Sequence, residues 1–385
     1  MKKKLSLFSI IVIGIIAFSL FFTVAQIFSS KIKYTKPEGE NLHSLTDNIK
    51  PHSTYARDSL AEHLRPEYDK ILRATLTLSP TATIKKIKDE ELTSIFYAIL
   101  ADNPLIDWLS REYSFKKTAY GVEYVLLNYT KTRDVIEKRL AEISKCTDKF
   151  FANFKDNASE YEKAKYIHDK IINECVYDLA EKEQSELYAV LVKKRATCEG
   201  YAKAFQFLTN IKKMKSIVVY GTAKEPHAWN KISVDNEYYF VDVTFDDREV
   251  EKVGTVLVYD YFLLTDEDTK ESHVVSQKEN HFPLPKCTST KNNYFVKEKL
   301  IVTLKDDFIK AAKEAVKVSG RIKRPVAQIK FNDKNTAEQK TFYEAGTSDI
   351  DKELSIALKT VSNGKFVGRS YDDKTRVMTF IMKYN

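Results

Sequence analysis

The chain has 385 residues, of which 43% are hydrophobic and 30% charged, which suits a folded protein of two or three domains and excludes a disordered one. Lysine and arginine outnumber aspartate and glutamate 62 to 54, a net charge of +8, but the signs alternate apart from short clusters such as Lys2-Lys3-Lys4 and Lys212-Lys213. No tract interleaves basic and aromatic residues as a nucleic-acid groove requires, so a mixed solvated surface and no nucleic-acid partner are expected.

Lys2-Lys3-Lys4 precede an uncharged apolar run over 5–28, which exceeds the ~20 residues that cross a bilayer. The run is longer than the apolar core of a cleaved signal peptide and has only weak small-x-small exits. Residues 1–30 are therefore expected to be a signal anchor with the body outside the cell membrane, or a signal peptide of a secreted protein if cleaved. Residues 31–55, polar and carrying Pro37, Gly39 and Pro51, read as a linker.

Residues 56–154 read as a module of helices and a hairpin. Leu60, Leu64, Tyr68, Ile71 and Leu72, then Leu92, Ile95, Phe96, Ile99 and Leu100, recur at helical spacing until Asp102-Asn103-Pro104. Strands are predicted over 108–115 and 120–129, and a long helix over 132–154. Ser159 and Glu162 have the spacing of a capping box, opening a helix that buries Tyr161, Ala164, Ile167, Ile171 and Cys175. His168 beside that face reads as a core-edge imidazole with a backbone partner. At the other end, residues 286–385 read as a small α/β module: strands over 294–304, 326–331, 364–369 and 375–384, helices over 306–318 and 348–361.

Between these lies a stretch with chemistry in it. Thr197 suits an N-cap, which puts Cys198 in the first turn of a helix, where unpaired N–H groups and the dipole favour an anion. The thiolate is the nucleophilic form of cysteine. Gly200 lets another chain approach that turn. Two strands then face each other across Asp235-Asn236, and a two-residue loop sets His227 and Asp242 on the same face as diagonal neighbours. One imidazole nitrogen can then bond the carboxylate while the other faces the thiol, the arrangement of an activated nucleophile. Trp229 shares that face and, like Tyr201, is a candidate for lining the substrate site; a core role suits Trp229 equally. The other cysteines, Cys146, Cys175 and Cys287, form no Cys-x-x-Cys pair with Cys198 or each other, so no zinc cage, other metal site or cofactor is expected. Asp246-Asp247 lack further oxygen ligands at calcium-loop spacing and read as a capped turn or surface ion pair. His273 and His281 fall in a polar loop before Pro283 and Pro285, a domain boundary.

Cys198-Glu199-Gly200-Tyr201-Ala202, His227-Ala228-Trp229-Asn230 and the run from Tyr239 through Asp242 to Asp247 resemble the three signature stretches of the transglutaminase-like superfamily. The likeness extends to Tyr177-Asp178, 185–191 and 259–264, and the module ahead of it is similar to one found in bacterial secreted members. The resemblance implies an α+β, papain-like catalytic domain over 155–285, its nucleophile helix packed on an antiparallel sheet. It implies Cys198 as nucleophile, His227 as base and acid, and Asp242 as the orienting carboxylate, acting through a thioester on protein or peptide amides by crosslinking, deamidation or cleavage. The backbone N–H of Cys198 would serve the oxyanion. Animal members add a tryptophan, but none lies between Trp108 and Cys198 here, which leaves Gln184 or Tyr188 as candidate second donors. The alternative is an inactive scaffold of the same fold that binds a cell-surface or protein partner.

Overall fold

The computed structural model describes residues 54–384 apart from 119–120, 156, 181–182, 251–252, 303–304 and 333–346. The expected membrane segment and the linker up to residue 53 lie outside the described residues. Among the described residues, no helix is long and apolar enough to cross a membrane.

Helices α1 (Tyr55–Ser59), α2 (Arg65–Leu76) and α3 (Asp89–Asp102) pack beside an antiparallel sheet of β1 (Thr81–Ile87), β2 (Ser114–Thr118) and β3 (Gly121–Leu126), ordered β1-β3-β2. Strand β1 corrects the expectation of uninterrupted helical pattern up to Leu100. Its Ala82 and Ile84 alternate inward between exposed neighbours, a two-residue period that a helix would split between faces. Asp102 closes this module: its carboxylate accepts the Ala56 and Arg57 N–H groups at 2.9 and 2.8 Å, supplying α1 with the acceptors its first turn lacks.

Helix α4 (Arg133–Phe151) leads into α5 (Glu160–Glu174), where the capping box forms as its spacing predicts. Glu162 accepts the Ser159 N–H at 2.8 Å and Ser159 Oγ accepts the Glu162 N–H at 3.3 Å. Short parallel strands β4 (Val176–Tyr177) and β5 (Arg195–Ala196) deliver the chain to α6 (Cys198–Ile211). Helix α6 lies on an antiparallel sheet of β6 (Ser216–Ala223), β7 (Glu225–Val234) and β8 (Glu237–Val241), followed by the hairpin β9 (Asp247–Val250) and β10 (Gly254–Leu257). Strand β11 (Phe262–Leu264), helix α7 (Asp266–Thr269) and strand β12 (Val274–Val275) complete it, in the order β11-β8-β7-β6-β12.

The α6 face of Ala204, Phe205, Phe207 and Leu208 is fully buried. Polar bonds fix its position as well: Asn230 of β7 donates to the Ala202 carbonyl at 2.9 Å, and Gln206 donates to Ala101 of α3 at 2.7 Å. One apolar core runs from Ala56 through α3, α5, α6 and the sheet to Phe295.

The last part begins with α8 (Tyr294–Lys297) and β13 (Ile301–Val302), which correct the strand expected over 294–304. Asn293 starts α8 by accepting the Phe295 N–H at 3.1 Å, and Phe295 turns into the main core. Helix α9 (Lys305–Arg321), β14 (Val326–Phe331), helix α10 (Thr347–Lys359), β15 (Lys365–Asp372) and β16 (Val377–Lys383) follow; the sheet order is β13-β14-β16-β15, with its own apolar cluster around Phe308, Leu354 and Phe380. Gln328 of β14 joins it to the main body by accepting the Tyr259 N–H at 2.9 Å. Helices thus accompany mainly antiparallel sheets, consistent with an α+β organisation.

Candidate active site

Cys198 is the first residue of α6 and is half-buried. Thr197 holds the N-cap position in extended backbone, but its hydroxyl makes no bond to its own helix. The Thr197 N–H donates to the Gln184 carbonyl at 3.0 Å, so the 184–186 loop is drawn over the first turn. That approach explains Gly200: a Cβ there would lie 2.6 Å from the Gln184 carbonyl oxygen and 2.9 Å from the Ala196 Cβ.

The β7–β8 hairpin forms in the anticipated register, with Val234 opposite Glu237. Asp235 and Asn236 carry φ of 52° and 66°, the left-handed pair of a type I′ turn. The ladder ends at Asn230 and Val241, and Asp242, one residue past β8, donates its N–H to the Tyr261 carbonyl at 3.0 Å. This exit turns the carboxylate back over the sheet. Its Oδ2 meets His227 Nε2 at 2.7 Å, while its Oδ1 accepts the Thr244 and Phe245 N–H groups, both at 3.0 Å.

With Nε2–H given to the carboxylate, the remaining imidazole nitrogen is Nδ1, and the Cys198 side chain lies near enough to favour the charged imidazole. Burial works against a charged His227, but the Asp242 carboxylate and the Cys198 sulfur outweigh it and push its pKa up to about 10. Burial likewise opposes charge on Asp242, yet the two imidazoles and their N–H donors hold it well below the usual carboxylate range. The three elements together present a thiol, an imidazole poised to be cationic, and a buried anion.

The other sequence-derived candidates sit elsewhere. Tyr188 gives its hydroxyl to Glu142 of α4 at 2.6 Å, with the Arg139 guanidinium 4.4 Å from its ring, so the structure does not bring it to the thiol. Gln184 is present there through its backbone carbonyl. Tyr201 is buried and donates to Asp247 at 2.7 Å; it belongs to the core and not to an open substrate wall. Trp229, 1% exposed, lies beneath His227 with ring centroids 6.1 Å apart, a floor for the imidazole.

Three more residues stand around these carboxylates. Tyr177 of β4 is partly exposed, and partial burial with the negative fields of Cys198 and Asp242 keeps its phenol protonated. His273, expected in a polar loop, is buried and places Nε2 at 3.0 Å from the same Asp242 Oδ2. His168 is not a core-edge ring with a backbone partner: its nitrogens lie 3.0 Å from Asp169 and 3.1 Å from Asp246, and Asp246 is fully buried instead of lying in a surface pair. The Tyr177-Asp178 motif pointed towards the first. No spacing rule connects Asp242 to a histidine in a later loop.

The donor atoms of His227, Asp242 and His273 lie within 4.8 Å of one another, a spacing a cation could bridge. The 2.7 and 3.0 Å separations are those of N–H···O bonds, and protons account for them.

Residues 148–243 match the family model of the transglutaminase-like superfamily. Among solved structures the chain is similar to a TGase at 19% identity and a TM-score of 0.27, over 45% of this chain and 54% of that one. It is also similar to a Cytophaga hutchinsonii protein to which cysteine-protease activity has been ascribed, at 16% identity and a TM-score of 0.25, over 38% of this chain and 65% of that one. The chain thus covers less than two-thirds of either structure's length. No curated protein matches the sequence.

Proposed function

With a transglutaminase-like domain over residues 148–243, we propose that the protein is a thiol enzyme with a papain-like core that transfers acyl groups from protein or peptide amides to an amine or to water. Cys198 Sγ attacks the amide carbonyl. His227, cationic in the resting pair, gives its Nδ1 proton to the departing amine nitrogen as the C–N bond breaks, leaving a thioester on Cys198. An incoming amine or water then gives a proton back to Nδ1 as it attacks the thioester, and the thiolate departs with His227 again cationic. Asp242 keeps Nε2 occupied, so that Nδ1 is the nitrogen in play. The backbone N–H of Cys198 is the first oxyanion donor, and the Tyr177 hydroxyl replaces Gln184 and Tyr188 as candidate for the second.

The observation that carries this reading is the 2.7 Å bond from His227 Nε2 to a fully buried Asp242, on an imidazole whose charged form the side chain at the start of a helix also favours. The apolar run over 5–28 supports an extracytoplasmic setting, with the chain anchored to the cell membrane or secreted.

The test compares the wild-type protein with Cys198→Ala on an unstructured glutamine- and lysine-rich protein plus a tagged primary amine, read by mass spectrometry. Amine incorporation or the mass gain of deamidation with the wild type alone establishes glutamine acyl transfer; backbone cleavage with the wild type alone establishes a peptidase. A Cys198→Ala protein as active as the wild type removes the proposal.

A further inference from the structure

We propose that His273 is a positioning residue of this site, a second imidazole that locks the orienting carboxylate by occupying the other lone pair of the oxygen that receives His227. The inference rests on reading Cys198, His227 and Asp242 as the reacting set.

Asp242 Oδ2 accepts His227 at 2.7 Å and His273 at 3.0 Å, and Oδ1 accepts two backbone N–H groups. An ionised carboxylate offers about four lone-pair sites, so every one is filled. A carboxylate held only on Oδ1 could swing its other oxygen, and His227 would swing with it. The His273 bond removes that freedom because rotation would break two charge-assisted bonds at once.

The rest of the chain is arranged to hold His273 there. Its ring sits among Phe240, Trp229, Phe245 and Tyr261, with centroids 4.9, 5.0, 5.0 and 5.3 Å away. Its Nδ1 meets Ser272 Oγ at 2.8 Å, and its backbone N–H donates to the Thr269 carbonyl at 2.9 Å. The titratable side chains facing the ring are Asp242, His227 and Tyr261.

Strand β12, which begins at the next residue, pairs with β6 so that Val275 faces Gly221, and Gly221 faces His227 on the other side. A Cβ on Gly221 would lie 2.1 Å from the Val274 carbonyl oxygen and 2.6 Å from the Trp229 ring. Glycine is what admits β12, and β12 is what delivers His273. His273 also lies beyond residues 148–243, the extent of the family match.

The test reads alkylation of Cys198 by iodoacetamide against pH, by peptide mass spectrometry, which requires no substrate. His273→Leu is expected to slow alkylation at neutral pH by roughly 10–100-fold, the usual loss when a group supporting a site's own ligands is removed, and to move the profile to higher pH. His273→Gln, which keeps an N–H donor at similar reach, is expected to restore the wild-type profile. A folded His273→Leu protein with the wild-type rate and profile overturns the proposal.

If His273→Leu does not fold, proton NMR of the wild-type protein decides. Two low-field imidazole N–H signals should both shift when Cys198 is alkylated; a response from His227 alone overturns the proposal. A wild-type Cys198 no more reactive than Cys146 would instead remove the thiol-site reading, and this proposal with it.

Discussion

Two histidine–aspartate pairs have their carboxylates on the same segment of chain, and they do different work. His227 bonds Asp242 and His168 bonds Asp246, four residues further along. The backbone ties the two carboxylates together, since the Asp246 N–H donates to the Asp242 carbonyl at 3.3 Å. Both aspartates are fully buried. The side chain of His227 keeps 8% of its surface open and is held charged in part by Cys198; that of His168 keeps none and reaches Asp169 of its own helix. The carboxylates differ as well. Two imidazoles and two N–H donors hold Asp242 ionised, whereas burial pushes Asp246 up to about 7 despite His168. A buried imidazole–carboxylate pair is therefore not a site by itself: a nucleophile and a path to solvent make one, and without them the pair fastens α5 to the turn after β8.

The contrast can be broken most sharply at the thiol. Cys198→Ala should lower turnover by on the order of 10⁴-fold or more while leaving the melting temperature nearly unchanged, as assay and calorimetry on one sample would show. In the same variant the NMR titration of His227 should fall from about 10, because the sulfur no longer supports the cation, yet stay above the ordinary histidine value because Asp242 remains.

The mirror experiment is His168→Ala. It should cost ~3–5 kcal/mol in urea unfolding, the usual effect of removing one member of a buried pair, while alkylation of Cys198 in the folded fraction keeps its pH profile. A change in that profile would mean the two pairs act as one unit.

Asp246→Asn sharpens the difference through pH. Asp246 binds its proton more tightly in the fold than in the unfolded chain. Its contribution to stability is therefore complete below about pH 4 and is lost as pH rises through about 7. Urea midpoints at intervals from pH 4 to 8 should decline less in Asp246→Asn than in the wild type. An equal decline would assign the dependence to other groups.

Smaller effects are expected at the edges of the site. Gly221→Ala should cost about 1–3 kcal/mol by pushing β12 from β6, and should slow Cys198 alkylation because His273 moves with it. Tyr177→Phe should leave stability unchanged and reduce turnover by up to ~100-fold if its hydroxyl meets the oxyanion; an unchanged kcat would leave the backbone N–H groups to do that work.

The sequence alone determined what depends on neighbours along the chain. The Ser159–Glu162 cap, the start of α6 at Cys198, the type I′ turn at Asp235-Asn236 and the register of the β7–β8 hairpin all follow from spacings of a few residues, where backbone geometry leaves little choice. Strand β1 was the local exception, a short run with two-residue period between helices that drew it into their pattern. Tertiary structure decided whatever depended on distant segments meeting. It turned the Tyr188 hydroxyl to Glu142 and put Tyr201 into the core. It brought Asp246 to His168 across 78 residues and His273 to Asp242 across 31. Such pairings leave no period in the sequence, because a buried carboxylate selects its partners by charge and direction, and packing alone decides which segment supplies them.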